Sequence, residues 1–369
     1  MLRSIGKTCF AYAYTLTGAR RFFARQPRRT APFIVCYHRV VGNFEESAKT
    51  TIPSMLISTR MFERQIDWLA KRFSFLSLDE IGSHIESGHQ FQTPVAGVTF
   101  DDGYSDVYHH AYPLLRRKGI PATFFVVTGL IDSNRPQIFD RLYLLLRLVQ
   151  RKGLPLHPTI ISALNAAGAD TSRLAQFRAA ARDPFSIMTA VLNGFSEKHI
   201  EMAITVLEQQ VSSNRGVFKE MMPLTSGMIE TMNQGGMAIG SHTHSHLLLT
   251  AETGETVKRE LTESKQILEA RLNTPVRHFA YPDGRFTPST VDAVHRAGYS
   301  FAYGICRSQD EKSPLLTIPR KVLWEHACLN AFGNFSSAVM HCQVNWAFDS
   351  RPCGHDHSET AIQVGSVAI

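Results

Sequence analysis

Val95-Ala96-Gly97-Val98-Thr99-Phe100 is a short, continuous apolar run that stops at two adjacent carboxylates, Asp101 and Asp102, followed by Gly103. Its length and composition predict a buried strand, and the glycine predicts a tight turn at its end. Ser105 or Asp106 can then cap a helix that runs to Lys118 and is closed by Gly119 and Pro121, after which Ala122–Val127 is again a buried strand. Strand, helix and strand at this spacing make a βαβ unit and a parallel sheet. Two acids at a buried strand end are costly unless a metal, a cation or hydrogen bonds compensate them. The remainder of the chain must supply that compensation.

The same rhythm brackets this unit. Phe33–Tyr37 is a compact apolar strand running into His38, residues 43–58 read as loop, and Thr59–Phe73 places Met61, Ile66, Leu69 and Phe73 at helical spacing. A second short helix covers about Leu78–Glu86. From about residue 131 to 222 no strand is predicted; residues 140–151, 171–182 and 197–212 read as helices, a helical insertion in a barrel loop. Strands return at Met237–Ser241, His278–Tyr281, Phe301–Ile305 and Thr317–Val322, with helices at Glu255–Leu272 and from Thr287-Pro288 to Gly298. The expected organisation is a basic segment 1–30, one catalytic domain 31–345 and a disordered tail 346–369, whose Cys353-Gly354-His355-Asp356-His357 run could bind metal only adventitiously.

Charge narrows the function. The chain of 369 residues carries a formal +7, yet residues 1–30 hold seven Lys or Arg and no acid, so the other 32 basic residues balance 32 acidic ones. The body is neutral, which argues against a nucleic-acid groove. The N-terminal segment instead fits a basic amphipathic helix resting on an anionic membrane. A signal peptide is the competing reading of Cys9–Ala19, opposed by its aromatic and polar content and by Arg20-Arg21 directly after it. No apolar run approaches the roughly 20 residues that span a bilayer. Six cysteines without C-x-x-C or framework spacing read as reduced thiols, so the expected location is the cytoplasm, at the inner membrane face, with secretion as the alternative.

Three predicted strand ends carry unusual residues: Asp101-Asp102, His242 with His246, and Tyr281-Pro282-Asp283-Gly284. In a parallel α/β barrel the C-terminal strand ends converge on one face. The i, i+4 spacing of His242 and His246 puts both rings on one side of a helical turn, with His244 pointing elsewhere. Two imidazoles and one carboxylate make a divalent site with open positions, suited to Zn²⁺ or another first-row ion such as Co²⁺ or Ni²⁺. Such an ion lowers the pKa of bound water and polarises a carbonyl. One acid of the pair should bind it, and the other, within reach of the water, should act as general base. Trp68, Tyr104, Tyr281 and Trp324 are candidates to stack on a substrate ring.

Thr99–Gly103, Ser241–His246 and Phe279–Gly284 resemble the first three motifs of the polysaccharide deacetylases, carbohydrate esterase family 4, over about residues 33–130 and 225–325. The resemblance implies a distorted (β/α) barrel and metal-dependent removal of acetyl groups from an acetylated carbohydrate. It makes Asp101 the base, Asp102, His242 and His246 the metal ligands, and the backbone N–H of Asp283 an oxyanion donor. Two positions depart from the family pattern. Many members carry an Arg that pairs with the base where this chain has Ala280, and Arg320 is the candidate replacement. The general acid of the family is a His near the domain's C-terminal end. Here Tyr37-His38 resembles the Tyr-His element of the rearranged members that act on poly-N-acetylglucosamine, so His38 is preferred to His326. Competing readings are hydrolysis of another acyl or C–N bond in a small or lipid-linked sugar, and a catalytically silent carbohydrate-binding protein.

Overall fold

The computed structural model describes residues 2–17, 31–172, 183–211, 221–349 and 357. They belong to two compact units, the first made of Met1–Phe44, Ser54–Ser133 and Pro223–Ile369, the second of Glu45–Pro53 and Asn134–Met222.

The first unit is built on a curled parallel sheet. Its strands are β1 (Phe33–Tyr37), β4 (Ser74–Phe75), β5 (Val95–Phe100), β6 (Ala122–Val126), β7 (Ala238–Ser241), β8 (His278–Ala280), β9 (Phe301–Tyr303) and β10 (Lys321–Val322); β2 (Arg39–Val41) and β3 (Leu56–Ser58) pair separately. The order is β10-β1-β5-β6-β7-β8-β9, with β4 also on β5. In register, Val35 faces Lys321 on one side and Val98 on the other, so β1 sits between the last strand and the one ending in the two acids. All six residues of β5 are buried, as a strand covered on both faces requires.

Side-chain alternation divides the core. Phe33, Val35 and Tyr37 of β1, with Ala96, Val98 and Phe100 of β5, enter the larger cluster, where Met61, Phe62, Ile66 and Leu69 of the helix Thr59–Ala70 meet them. Ile34 enters a smaller cluster with Phe125, Ala280, Phe301 and Tyr303. The same alternation puts Cys36, Thr99 and Asp101 on the side of the smaller cluster. Helix starts follow local chemistry: Ser58 caps Thr59–Ala70, and Ser77 with Glu80, and Thr287 with Thr290, form capping boxes for Leu78–Glu86 and Pro288–Arg296.

The helix expected after Gly103 divides into a wide π turn, Val107–Ala111, and an α-helix, Tyr112–Lys118. Pro113 is the reason, since it has no N–H for the regular ladder. The presumed loop 43–58 ends in β3, which pairs with β2; three-residue strands are too short to show a period. There the guanidinium of Arg39 is buried against Asp106 at 2.7 Å, and Asp106 also accepts the Val40 N–H. Replacing Arg39 with methionine is expected to destabilise the unit by about 3–5 kcal/mol, because Asp106 is left buried without its cation. Adding Asp106→Leu should recover most of that in urea unfolding; a double variant weaker than the single one would contradict the account.

The helix Leu2–Leu16 buries Ala11 and Tyr14 against Ala338, Val339 and Cys342, around the helix Ser337–Val344. Phe10, Tyr12 and Leu16 are exposed, and no helix of the described residues is long and apolar enough to cross a membrane. Most of the tail expected to be disordered lies outside the described residues; His357 stacks on Phe286 with ring centroids 3.9 Å apart.

The second unit is helical among its described residues, with helices Ile138–Arg151, Leu156–Ala166, Pro184–Gly194 and Glu197–Val211. Arg141 ties the first to the last through Glu201 and Glu208. Of the helix expected at 171–182, residues 173–182 lie outside the described residues.

Candidate active site

Asp101 and Asp102 leave β5 in different directions because the chain turns between them. Asp101 continues the ladder, its N–H donating to the Tyr37 carbonyl at 2.9 Å. Asp102 has φ +72°, a left-handed conformation that a short acidic side chain tolerates better than a branched one. Gly103 follows at φ +70°, and a Cβ there would stand 3.3 Å from the Val126 backbone, so the turn requires glycine.

His242 and His246 do converge, but not across a helical turn. Residues 242–248 form an irregular loop in which Thr243 and His246 have φ +67° and +60°. The loop is held from outside. The buried Glu260 accepts the N–H groups of His244 and Ser245 at 2.9 and 2.8 Å, and Thr128 and Gly129 donate theirs to the carbonyls of Thr243 and His244. Spacing alone could not show this, although Glu260 is an acid within the apolar stripe Val257, Leu261, Leu268 of the helix Gly254–Leu272.

Both imidazoles aim Nε2 at Asp102 Oδ1, at 3.4 Å from His242 and 3.1 Å from His246. His242 Nδ1 lies 2.8 Å from the Ala280 carbonyl, an acceptor, which assigns the proton to Nδ1 and leaves Nε2 its lone pair. An ion about 2.0–2.1 Å from each donor separates tetrahedral donors by about 3.3 Å and octahedral ones by about 2.9 Å. The three groups, with Asp102 and His242 buried and His246 partly so, therefore fit a divalent cation. Burial opposes charge on Asp102, yet the two histidine rings that face it, His242 and His246, hold its carboxyl well below the usual range.

Asp101 is held by a different partner. Arg320, fully buried, grips it through Nη1 to Oδ1 at 2.7 Å and Nη2 to Oδ2 at 2.8 Å, while its Nε donates to the Gly304 carbonyl at 3.0 Å. Burial pushes the Asp101 carboxyl up, and Arg320 more than offsets this, leaving it below its ordinary value. A ring nitrogen of His38, the Cys36 sulfur and an Asp101 carboxylate oxygen lie within 4.8 Å of one another. His326 is elsewhere, exposed and packed beside Phe44 and Trp324. Cys36, whose Sγ is 3.3 Å from Asp101 Oδ2, was not anticipated; its one signal is that it shares a strand face with His38.

The aromatic candidates need correction. Tyr281 is buried, with its hydroxyl donating to the Leu316 carbonyl at 3.0 Å, and Tyr104 is buried beneath the Arg39 guanidinium. Neither ring has a free face for a sugar, since both are fully buried. Trp68 is covered by Arg72 at 3.9 Å. Asp283 occupies the turn after Tyr281 at φ +55°, its carboxylate paired with Arg285 at 2.9 Å.

Residues 88–170 and 183–302 match the family model described as polysaccharide deacetylase. Over 106 residues the chain is 36% identical to a poly-β-1,6-N-acetyl-D-glucosamine N-deacetylase of Staphylococcus aureus, a match covering 27% of this chain and 36% of that protein, so it spans little more than a third of the curated relative. In fold it is similar to the Streptococcus pyogenes deacetylase PplD solved in complex with acetate (TM-score 0.51, 19% identity, 80% of this chain and 93% of that one). It is also similar to a polysaccharide deacetylase from Bacillus cereus (TM-score 0.50, 17% identity, 85% and 68%). His38 and Arg320 fall outside the region matched by the family model, and the sheet order is what brings them to it.

Proposed function

Because the chain belongs to the polysaccharide deacetylase family, whose model matches more than half its length, we propose that it is a metal-dependent hydrolase that removes N-acetyl groups from the amino sugars of a glycan. The observation that carries this reading is the division of labour between neighbouring acids: Asp102 faces two imidazoles, while Asp101 is gripped by Arg320 beside His38.

Asp102, His242 and His246 would hold the ion, with Zn²⁺ the best match to their donors and Co²⁺ or Ni²⁺ compatible, and the ion would supply an acidic water and Lewis-acid polarisation. Asp101 receives the proton of the attacking water. Arg320 keeps that carboxylate ionised before the reaction and fixes its direction. The Asp283 N–H would stabilise the oxyanion, and His38 gives a proton to the departing amine. His38→Ala is expected to lower kcat by about 10²–10³-fold with metal content unchanged; retention of most activity would remove His38 from this role.

The Staphylococcus relative supports an N-acetylglucosamine polymer as substrate. The test is acetate release from N-acetylglucosamine oligomers, abolished by chelation and restored by zinc. Failure on every acetylated glycan with metal bound would favour a silent carbohydrate-binding protein. A cytoplasmic location is supported by the five described cysteines, all free thiols. Contact with an anionic membrane is supported by the basic composition of residues 1–30 and by exposed Phe10, Tyr12 and Leu16; absence of cosedimentation with phosphatidylglycerol vesicles would refute it.

A further inference from the structure

On the Asp101 side of the site just described, three groups of ligand type meet. Cys36 projects from β1, His38 follows two residues later, and Asp101 ends the neighbouring strand β5, with which β1 pairs in register up to Tyr37 and Phe100. The three differ in kind: a thiol, an imidazole and a carboxylate, a mixed set that suits zinc, cobalt or cadmium. Their spacing can be tested against coordination. With Zn–S about 2.3 Å and Zn–O about 2.0 Å, tetrahedral geometry separates sulfur from oxygen by about 3.5 Å; here Cys36 Sγ and Asp101 Oδ2 are 3.3 Å apart.

We propose that Cys36, His38 and Asp101 form a second, inhibitory metal site, occupied by Zn²⁺ or another thiophilic divalent cation after the Asp102–His242–His246 site is filled. Binding exchanges one proton for one ion: the S–H bond of Cys36 breaks, the proton leaves to solvent, and sulfur, a ring nitrogen of His38 and Asp101 Oδ2 each give a lone pair to the metal. No redox partner is needed. The local charges account for the order of filling. A thiolate and a carboxylate face the ion against the single positive charge of Arg320, which lies on Asp101 at 2.7–2.8 Å. The thiolate and the carboxylate attract a cation, but the adjacent guanidinium and the ion already held at Asp102 both oppose it, which makes this site weaker than the first.

The inhibitory part rests on the proposed roles of Asp101 and His38, since a metal on these groups would remove base and acid together. The binding part does not rest on activity. At a zinc concentration about ten times the Kd of the second site only about a tenth of the protein keeps a free base, so acetate release should fall about tenfold relative to protein loaded with one equivalent.

The experiment is a cobalt titration of the full-length wild-type protein followed by absorption, with zinc stoichiometry by equilibrium dialysis for wild type, Cys36→Ser, Cys306→Ser and His355→Ala. A sulfur-to-cobalt charge-transfer band is expected only with the second equivalent. Cys36→Ser should lose both that band and one equivalent of zinc, whereas the other two variants should keep them. A second equivalent without a thiolate band in wild type, a stoichiometry of one, or retention of both equivalents in Cys36→Ser would each overturn the site. The cobalt titration of wild type decides the matter even if Cys36→Ser does not fold. A thiolate-bound second ion in a protein with no activity on any glycan would uphold the site and refute the proposed function. Binding without loss of rate would overturn the inhibitory role.

Discussion

Replacing Arg320 with methionine is expected to lower kcat by about 10²–10³-fold while the protein keeps its full metal complement. The guanidinium touches Asp101 and not Asp102, so the base loses its partner and the ion keeps its ligands. The same change should cost about 3–5 kcal/mol of stability, because it leaves a buried carboxylate unpaired. Its pH dependence has a definite sign. In wild type the Asp101 carboxyl is depressed, so the stabilisation from the pair is complete above the ordinary carboxylate range and is lost as pH falls through the depressed value. In the variant burial, the largest influence on that carboxyl, is opposed only by His242 and His38, so the carboxyl moves up, and the penalty is largest at neutral pH and shrinks as Asp101 takes up a proton. Urea midpoints of the two proteins should therefore approach one another on acidification. Equal loss of metal and rate, or a gap that widens with acid, would contradict the assignment of Arg320.

Asp101→Asn and Asp102→Asn, identical changes at neighbouring positions, are expected to fail in different ways. The first removes the proton acceptor and should lower kcat by about 10³-fold or more at full metal occupancy. The second removes a charged ligand between two imidazoles, so the metal should be lost on dialysis and activity should return in part with added zinc. Metal analysis beside acetate release separates the outcomes. If both variants lost the first equivalent of metal alike, Asp101 would be a ligand of that ion and the search for the base would have to begin elsewhere.

Much of this site could be read from the sequence because polar residues that end apolar strands stand out. Asp101, Asp102, His242 and His246 all do so. Arg320 was reached from an absence, the alanine at position 280, and its grip on Asp101 depends on β10 lying beside β1, a pairing of residues nearly the whole domain apart. What could not be read was conformation that depends on distant support. The i, i+4 spacing of the histidines suggested a helix, whereas Glu260 and the Thr128-Gly129 backbone hold an irregular loop with two left-handed residues. Tyr104 and Tyr281 were candidates to stack on a substrate ring because they adjoin the motifs, but both rings are buried. Cys36 was passed over because a cysteine in an apolar strand is ordinary core until the facing residue is known.

The place of β1 between β10 and β5 bears on how the molecule becomes active during synthesis. Within the sheet the strand that leads into His38 is made before the acids, and the arginine that steadies one of them arrives only with β10. Closing a sheet between Val35 and Lys321 spends chain entropy over a very long loop, so that closure should come late. A nascent chain that stops short of Arg320 would hold both acids and both histidines but no fixed base. The order of synthesis thus leaves the proposed base without its partner until β10 has been added.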